Sequence, residues 1–394
     1  MTVAGEVAAV YPDDPLTSAL LGSAYYNTGK STEATQFLRK CLSLNPKQTD
    51  AYEILARIAY EKGDPEEAVR LGRDALKYGP PSSTVLNSLG RALMDLGKSE
   101  EAVESLQRAT RLPHAPAESH YLLGQALLQS GNPAAARDSF LTAIRLVPDH
   151  TQAVFGLVSA CQRLGNTEET QLYRKRFQEL ETQDRAALSE RSAQEDTRTG
   201  LPLVRQTVAR TLLGAAQIHR AHQQPAKAAA LFLRAAHLDP DQTECRAALE
   251  GHYVRTQSVP DGVKTFAELV SQQPGNPLNH ASLGRLQARL GQVDAAESSF
   301  RKVQELAPAW SEGYRGLAEL YLRANRHPAE AAALAQKAAD LAPTAPHFHL
   351  LAAVLAENAD LAGAVDAMKR AIALDPNRPL YRDFLKKLQE LKSQ

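Results

Sequence analysis

A fixed step of 34 residues runs through this chain. Pro12, Pro46, Pro80 and Pro148 stand on it, and Pro113 lies beside the remaining mark at His114. The pairs Leu21-Gly22, Leu55-Ala56, Leu89-Gly90, Leu123-Gly124 and Leu157-Val158 keep the same step, as do Ala34, Ala68, Ala102, Ala136 and Thr170. After a break the step resumes at Pro240, Pro274 and Pro308; Pro343 comes one residue late, and the step from there to Pro376 is one short. A unit of this size cannot bury a core alone, so a chain with this period must stack its units on one another.

The fourth unit shows what is repeated. Leu123 and Leu127 share one helix face, at a spacing of four. The stretch "SGNP" then breaks the chain, with Gly131 at a helix end and Pro133 opening the next helix. That second helix carries Ala136, Phe140, Ala143 and Leu146, and Pro148 stops it. Each unit therefore reads as a helical hairpin. Glycine inside a helix costs about 0.8–1 kcal/mol relative to alanine, so its recurrence at Gly22, Gly90, Gly124 and Gly284 needs an offsetting gain. These are expected to be crossing points where helices approach closely. The gaps would be filled by the larger residue later in the unit: Leu38, Leu106, Phe140, Phe232, Phe266 or Phe300.

This pattern resembles the tetratricopeptide repeat family. In "LLGSAYYNTGKSTEATQFLRKCLSLNP", Leu21, Gly22, Tyr25, Gly29, Ala34, Leu38 and Pro46 stand at the family's signature positions; "SLGRALMDLGKSEEAVESLQRA" and "SLGRLQARLGQVDAAESSFRKV" match as well. Ten units start near residues 15, 49, 83, 117, 151, 209, 243, 277, 311 and 345. The resemblance implies an all-α fold, a right-handed α-solenoid of about ten helix-turn-helix repeats. Residues 15–181 hold units 1–5 and residues 209–378 hold units 6–10. Between them the second helix of unit 5 has no stop proline and runs on through "TEETQLYRKRFQELETQDRAALSERSAQ". "EDTRTGLP" then ends it and Pro202 opens the next helix, so residues 182–208 form an extended helix and a break, with the two halves meeting at a bend. At the front, residues 1–14 ("EVAAVYPDD") read as the tail or cap of a preceding repeat, so the sequence is either a fragment or begins with a short cap. At the back, residues 379–394 read as a capping helix, docking Leu380, Phe384, Leu385 and Leu388 on unit 10.

The composition excludes several classes. Lys+Arg and Asp+Glu are both 45, so no basic excess points to nucleic acid. No apolar run is long enough to insert in a bilayer, and the N-terminal residues do not read as a signal peptide; the chain reads as soluble, with the compartment open. Cys41, Cys161 and Cys245 are far apart and read as core thiols, not as a disulfide or zinc set. No phosphate loop, HExxH or GxSxG occurs, so no cofactor and no catalytic group are expected. His219 and His222 sit three apart on one helix, but a third and a fourth ligand are missing and no metal site is expected. His347 and His349 read as a solvated pair. Glu250 stands where other units carry Gly, Ala or Val, so either Arg246 or His252 partners it or unit 7 packs less tightly.

In the family the first helix of each hairpin lines the inner face, and that face is where partners bind. The corresponding positions in units 1–5 include Tyr26, Arg57, Tyr60, Arg91, Tyr121 and Phe155, a polar and aromatic lining suited to an extended peptide. From unit 5 onward one position repeats as arginine, at Arg163, Arg255, Arg289 and Arg323; Arg220, Arg285 and Arg315 lie nearby. Such a ladder suits an acidic or phosphorylated segment, because guanidinium pairs with oxyanions in a fork; exposed arginines that only solubilise the face are the other reading. The Lys and Asn set of chaperone-tail binders is absent, and the inner positions Leu20, Ile54, Ser88, Leu122 and Gly156 lack the asparagine ladder of the nucleocytoplasmic sugar transferases. The expected function is a non-enzymatic scaffold holding a protein or peptide partner; the alternative is the recognition module of a larger enzyme or secretion assembly. The oligomeric state is left open by the sequence.

Overall fold

The computed structural model describes residues 2–194 and 200–392, and side chains over residues 3–186 and 204–391. Among the described residues every regular element is an α-helix. A short helix α1 (Thr2–Val10) is followed by ten hairpins. The first five are α2 (Pro15–Asn27) with α3 (Ser31–Leu44), α4 (Thr49–Glu61) with α5 (Pro65–Tyr78), α6 (Ser83–Asp95) with α7 (Ser99–Thr110), α8 (Ala117–Gln129) with α9 (Pro133–Leu146), and α10 (Thr151–Arg163) with α11 (Thr167–Gln194). The next five are α12 (Gly200–Ala221) with α13 (Pro225–Leu238), α14 (Thr243–Arg255) with α15 (Val259–Gln272), α16 (Pro277–Arg289) with α17 (Val293–Leu306), α18 (Ser311–Ala324) with α19 (Pro328–Leu341), and α20 (Ala345–Glu357) with α21 (Leu361–Leu374). The helix α22 (Pro379–Lys392) closes the series. The chain is an all-α solenoid that divides into two compact units, Met1–Ile218 and His219–Gln394. Residues 195–199, from the expected break, lie outside the described residues.

One backbone device makes all ten hairpins. The residue that ends each first helix takes a left-handed conformation. It is glycine at 29, 63, 97, 131, 165 and 291, and Gln223, Gln257, Asn325 and Ala359 elsewhere. The next residue then donates back five positions, as Lys30 N–H does to Tyr25 O at 2.9 Å and Asp360 N–H to Leu355 O at 2.9 Å. This satisfies carbonyls that the helix end would leave unpaired and reverses the chain within one turn. Side-chain caps start several of the helices: Asp64 accepts from Glu67 N–H, and Asn132 from Ala135 N–H.

Within and between hairpins the expected gaps are filled. A methyl on Gly22 would stand 2.5 Å from Leu38, one on Gly90 2.5 Å from Leu106, and one on Gly284 3.0 Å from Phe300. Phe140 is wholly buried, and both Gly124 of its own hairpin and Gly156 of the next face its ring. Phe300 is held in the same way between Gly284 and Gly316. The missing side chains therefore give the large residues room at the very places where neighbouring helices cross.

The ends differ in detail from the sequence reading. On α22, Tyr381 and Leu388 are the buried residues and Phe384 and Leu385 pack partly, but Leu380 is exposed. His347 and His349 are not solvated. His347 is buried and bonds Thr344 Oγ1 through Nδ1 at 2.6 Å, while His349 lies 5.3 Å from the Tyr381 ring and 5.5 Å from Phe384. The aromatic residues of α22 arrive from outside the tenth hairpin and pack on His349.

Candidate functional site

In the first unit the polar side chains of successive first helices are tied to one another. The Tyr26 hydroxyl donates to Glu61 at 2.5 Å, and the Arg57 guanidinium lies 4.7 Å over the Tyr26 ring. Burial and a hydrogen bond to Asp95 push the Tyr60 hydroxyl pKa up. Arg91 pairs with Glu118, which also faces His150 at 3.6 Å. The His150 ring in turn lies 5.0 Å from Tyr121, whose hydroxyl accepts from Gln125 at 2.7 Å. Arg163 donates to the Leu128 carbonyl at 2.6 Å, one repeat back. Phe155 stands apart: it is 55% exposed, an unusual state for so large an apolar ring, and touches Phe177 of α11. Still within this unit, α12 lies against α2, since a methyl on Gly214 would stand 2.6 Å from Leu20 Cδ1. Leu16, Leu20 and Ile54 line a pocket of about 190 Å³ there with Gln217 and Ile218.

In the second unit the arginines separate into two groups. Arg285 of α16 forks onto Glu250 of α14 at 2.7–3.0 Å and reaches Glu312 of α18 at 2.5 Å. Arg315 binds Glu312 and Glu319, and Arg323 binds Glu319 at 2.5 Å. Burial pushes the Glu312 carboxyl up, but the hydrogen bonds and charge of Arg315 and Arg285 outweigh it and hold the pKa below its usual value. Burial likewise works against the charge on Arg285, and Glu250 and Glu312 more than restore it. These three arginines are thus parts of an internal ion chain. Arg220, Arg255 and Arg289 have no ion pair among the described residues. Arg289 borders a pocket of about 180 Å³ with Phe300 and the paired arginines.

The site around Arg220 and Arg255 is compact. The Arg220 guanidinium lies 6.0 Å from the centre of the Phe232 ring. His252 is buried with its ring 5.6 Å from the same phenyl group, and its Nδ1 has no hydrogen-bond partner. The Arg255 guanidinium folds back over Gly251, where a methyl would stand 3.2 Å from Nη1 and Nη2. Burial and the nearby Arg255 charge lower the Arg220 pKa; burial, Arg220 and Arg255 lower that of His252.

The partner of Glu250 is neither of the two residues considered from sequence. Arg246 is wholly buried and donates to Asn279 Oδ1 at 2.9 Å, the Asp239 carbonyl at 2.8 Å and Gln273 Oε1 at 3.3 Å, while Arg285 takes Glu250 from the next repeat. The sequence carries no clear signal for burial of Arg246, because the matching position holds Ser18, His120 and His280 in other units. The three cysteines are buried, and burial raises the Cys41 and Cys245 thiols to about 11. His219 is buried, and among the described residues no group of three His, Cys, Asp or Glu is placed to hold a metal ion. No helix among them is long and apolar enough to cross a membrane.

Family models agree with this repeat architecture. Family models described as tetratricopeptide repeat match residues 18–48, 87–151, 121–169 and 281–346. The curated proteins searched give no match. Among solved structures, YrrB, described as a TPR protein with an unusual peptide-binding site, is 20% identical with a TM-score of 0.42, over 48% of this chain and 97% of its own. Yeast Tom70 is 17% identical with a TM-score of 0.41, over 96% of both chains. MamA from Desulfovibrio magneticus RS-1 is 18% identical with a TM-score of 0.40, over 45% of this chain and 96% of its own.

Proposed function

The chain is built of tetratricopeptide repeats, and from that premise we propose that it is a non-catalytic scaffold holding a segment of a partner protein against the first helices of its hairpins. The observation that carries this reading is the state of those helices' side chains. Tyr26, Arg57, Arg91 and Tyr121 are fixed by partners on their own or adjacent repeats, so a ligand meets a lining already ordered. Binding then loses less side-chain entropy on that surface. Phe155, large and more than half exposed, adds an apolar anchor. In the second unit an acidic stretch of the partner is met by the arginines without internal partners, Arg220, Arg255 and Arg289. Arg285, Arg315 and Arg323 shape the surface and have their charge already answered.

Site-specific photo-crosslinking in the native host tests this. A crosslinking residue at position 155 or 289 should trap the same partner, and one at position 337, exposed on α19, should not. Trapping from position 337 alone, or equally from all three, would refute a partner held on the first helices.

A further inference from the structure

We propose that Arg220 and Arg255, gathered around Phe232 and Gly251 in the second unit, form a seat for one anionic side chain of the partner segment, a carboxylate or a phosphoryl group; this rests on the scaffold reading above. The argument starts from the rest of the same unit. Wherever a half-buried guanidinium occurs along α16 and α18, a glutamate answers it from its own or a neighbouring first helix: Glu250 and Glu312 for Arg285, Glu312 and Glu319 for Arg315. Taking such a charge partly out of water is unfavourable unless an opposite charge replaces the lost hydration. Arg220 is half-buried too, yet it has no ion pair among the described residues, and the charge of Arg255 acts on it with the same sign. Arg220 and the exposed Arg255 thus share one region with neither guanidinium committed to an acidic partner among the described residues.

Phe232, itself wholly buried, backs the site, with Arg220 on one side of it and His252 on another. Gly251, by lacking a side chain, leaves the space that the Arg255 guanidinium occupies. The buried Nδ1 of His252, without a partner, is a further polar group that an oxyanion or its water could satisfy. Each guanidinium can give a fork of two N–H donors to an oxyanion, and such charge-assisted bonds are the stronger kind.

Two fluorescein-labelled peptides of equal length serve as probes: six glutamates, and a glycine-serine peptide with one phosphoserine. Their binding to the full chain is read by anisotropy. The double variant Arg220→Gln/Arg255→Gln should bind the preferred probe at least about tenfold more weakly, the loss expected for charge-assisted hydrogen bonds. Lys337→Gln/Lys369→Gln, which removes the same charge from exposed sites on second helices, should stay within about twofold. Arg255→Gln alone should also weaken binding. Preference for the phosphoserine probe would assign the seat to a phosphorylated segment, and binding of hexaglutamate to an acidic one. Failure of the wild type to bind either probe, or equal loss in the two double variants, would overturn the proposal. An unchanged helical circular dichroism spectrum checks the fold of each variant. Crosslinking from position 155 tells the two readings apart: if it persists while the seat fails, the scaffold reading stands, and if it too is absent, both fall.

Discussion

Replacing Gly124 by alanine tests the packing rule of the array at one point. In helix terms alone the change is favourable, by about 0.8–1 kcal/mol. In place, the new methyl would stand 2.5 Å from Cε1 and 2.7 Å from Cδ1 of Phe140, where ordinary contact begins near 3.4 Å. The ring must retreat by about 0.9 Å, and Gly156 of the next hairpin already lies as close on another side. Overpacking of this kind costs about 1–3 kcal/mol, and a ring confined from two sides belongs at the upper end, so a net loss of roughly 1–2 kcal/mol is expected. The sign should reverse when the ring is removed. In a Phe140→Ala background, Gly124→Ala should stabilise by about 0.8–1 kcal/mol, giving an interaction energy of roughly 2–3 kcal/mol across the cycle. Repeat arrays need not unfold in one step, so the measurement is amide hydrogen exchange in peptides from α8 and α9. Greater protection in Gly124→Ala with Phe140 present, or the same change in both backgrounds, would refute the idea that this glycine exists to admit the ring.

Two further predictions follow from the ion chain and the turns. The folded-state pKa of Glu312 is depressed, so its pairing contributes fully above the unfolded carboxylate range near about pH 4.3 and is lost as pH falls through the folded value. Glu312→Gln should lower the stability of the second unit at pH 7 by roughly 2 kcal/mol and flatten its acid limb, followed by the emission of Trp310, the chain's one tryptophan; an acid limb as steep as the wild type's would count against this. Ala359 holds the left-handed turn position at φ 60°. Ala359→Gly should protect α20 and α21 by about 0.5–1 kcal/mol, the relief of left-handed strain less glycine's larger entropy loss; slower exchange would support this and faster exchange would contradict it.

Much of the architecture was legible because it is written in short-range terms. A 34-residue period, an apolar face at helical spacing and a glycine beside a turn are each properties of one unit, so Gly22, Gly90, Gly124 and Gly284 could be matched to Leu38, Leu106, Phe140 and Phe300 before any coordinates. The second unit's turns were harder to see: Gln223, Gln257 and Ala359 adopt the left-handed state without the residue that announces it. They do so because the hairpin packing on both sides fixes the turn and outweighs local preference.

The charged surface was not legible in the same way. Arg255, Arg289 and Arg323 look alike along the chain, yet Arg323 is bound to Glu319 while the other two have no ion pair among the described residues. Glu250 passes over Arg246, four residues away, and takes Arg285, 35 residues on. Periodicity determines which helix a side chain belongs to and which face it occupies. The rotation and rise from one hairpin to the next determine whether two long side chains on neighbouring repeats meet, and those are set by how the buried rings and gaps seat together, so only the folded array decides which charges pair with one another and which do not.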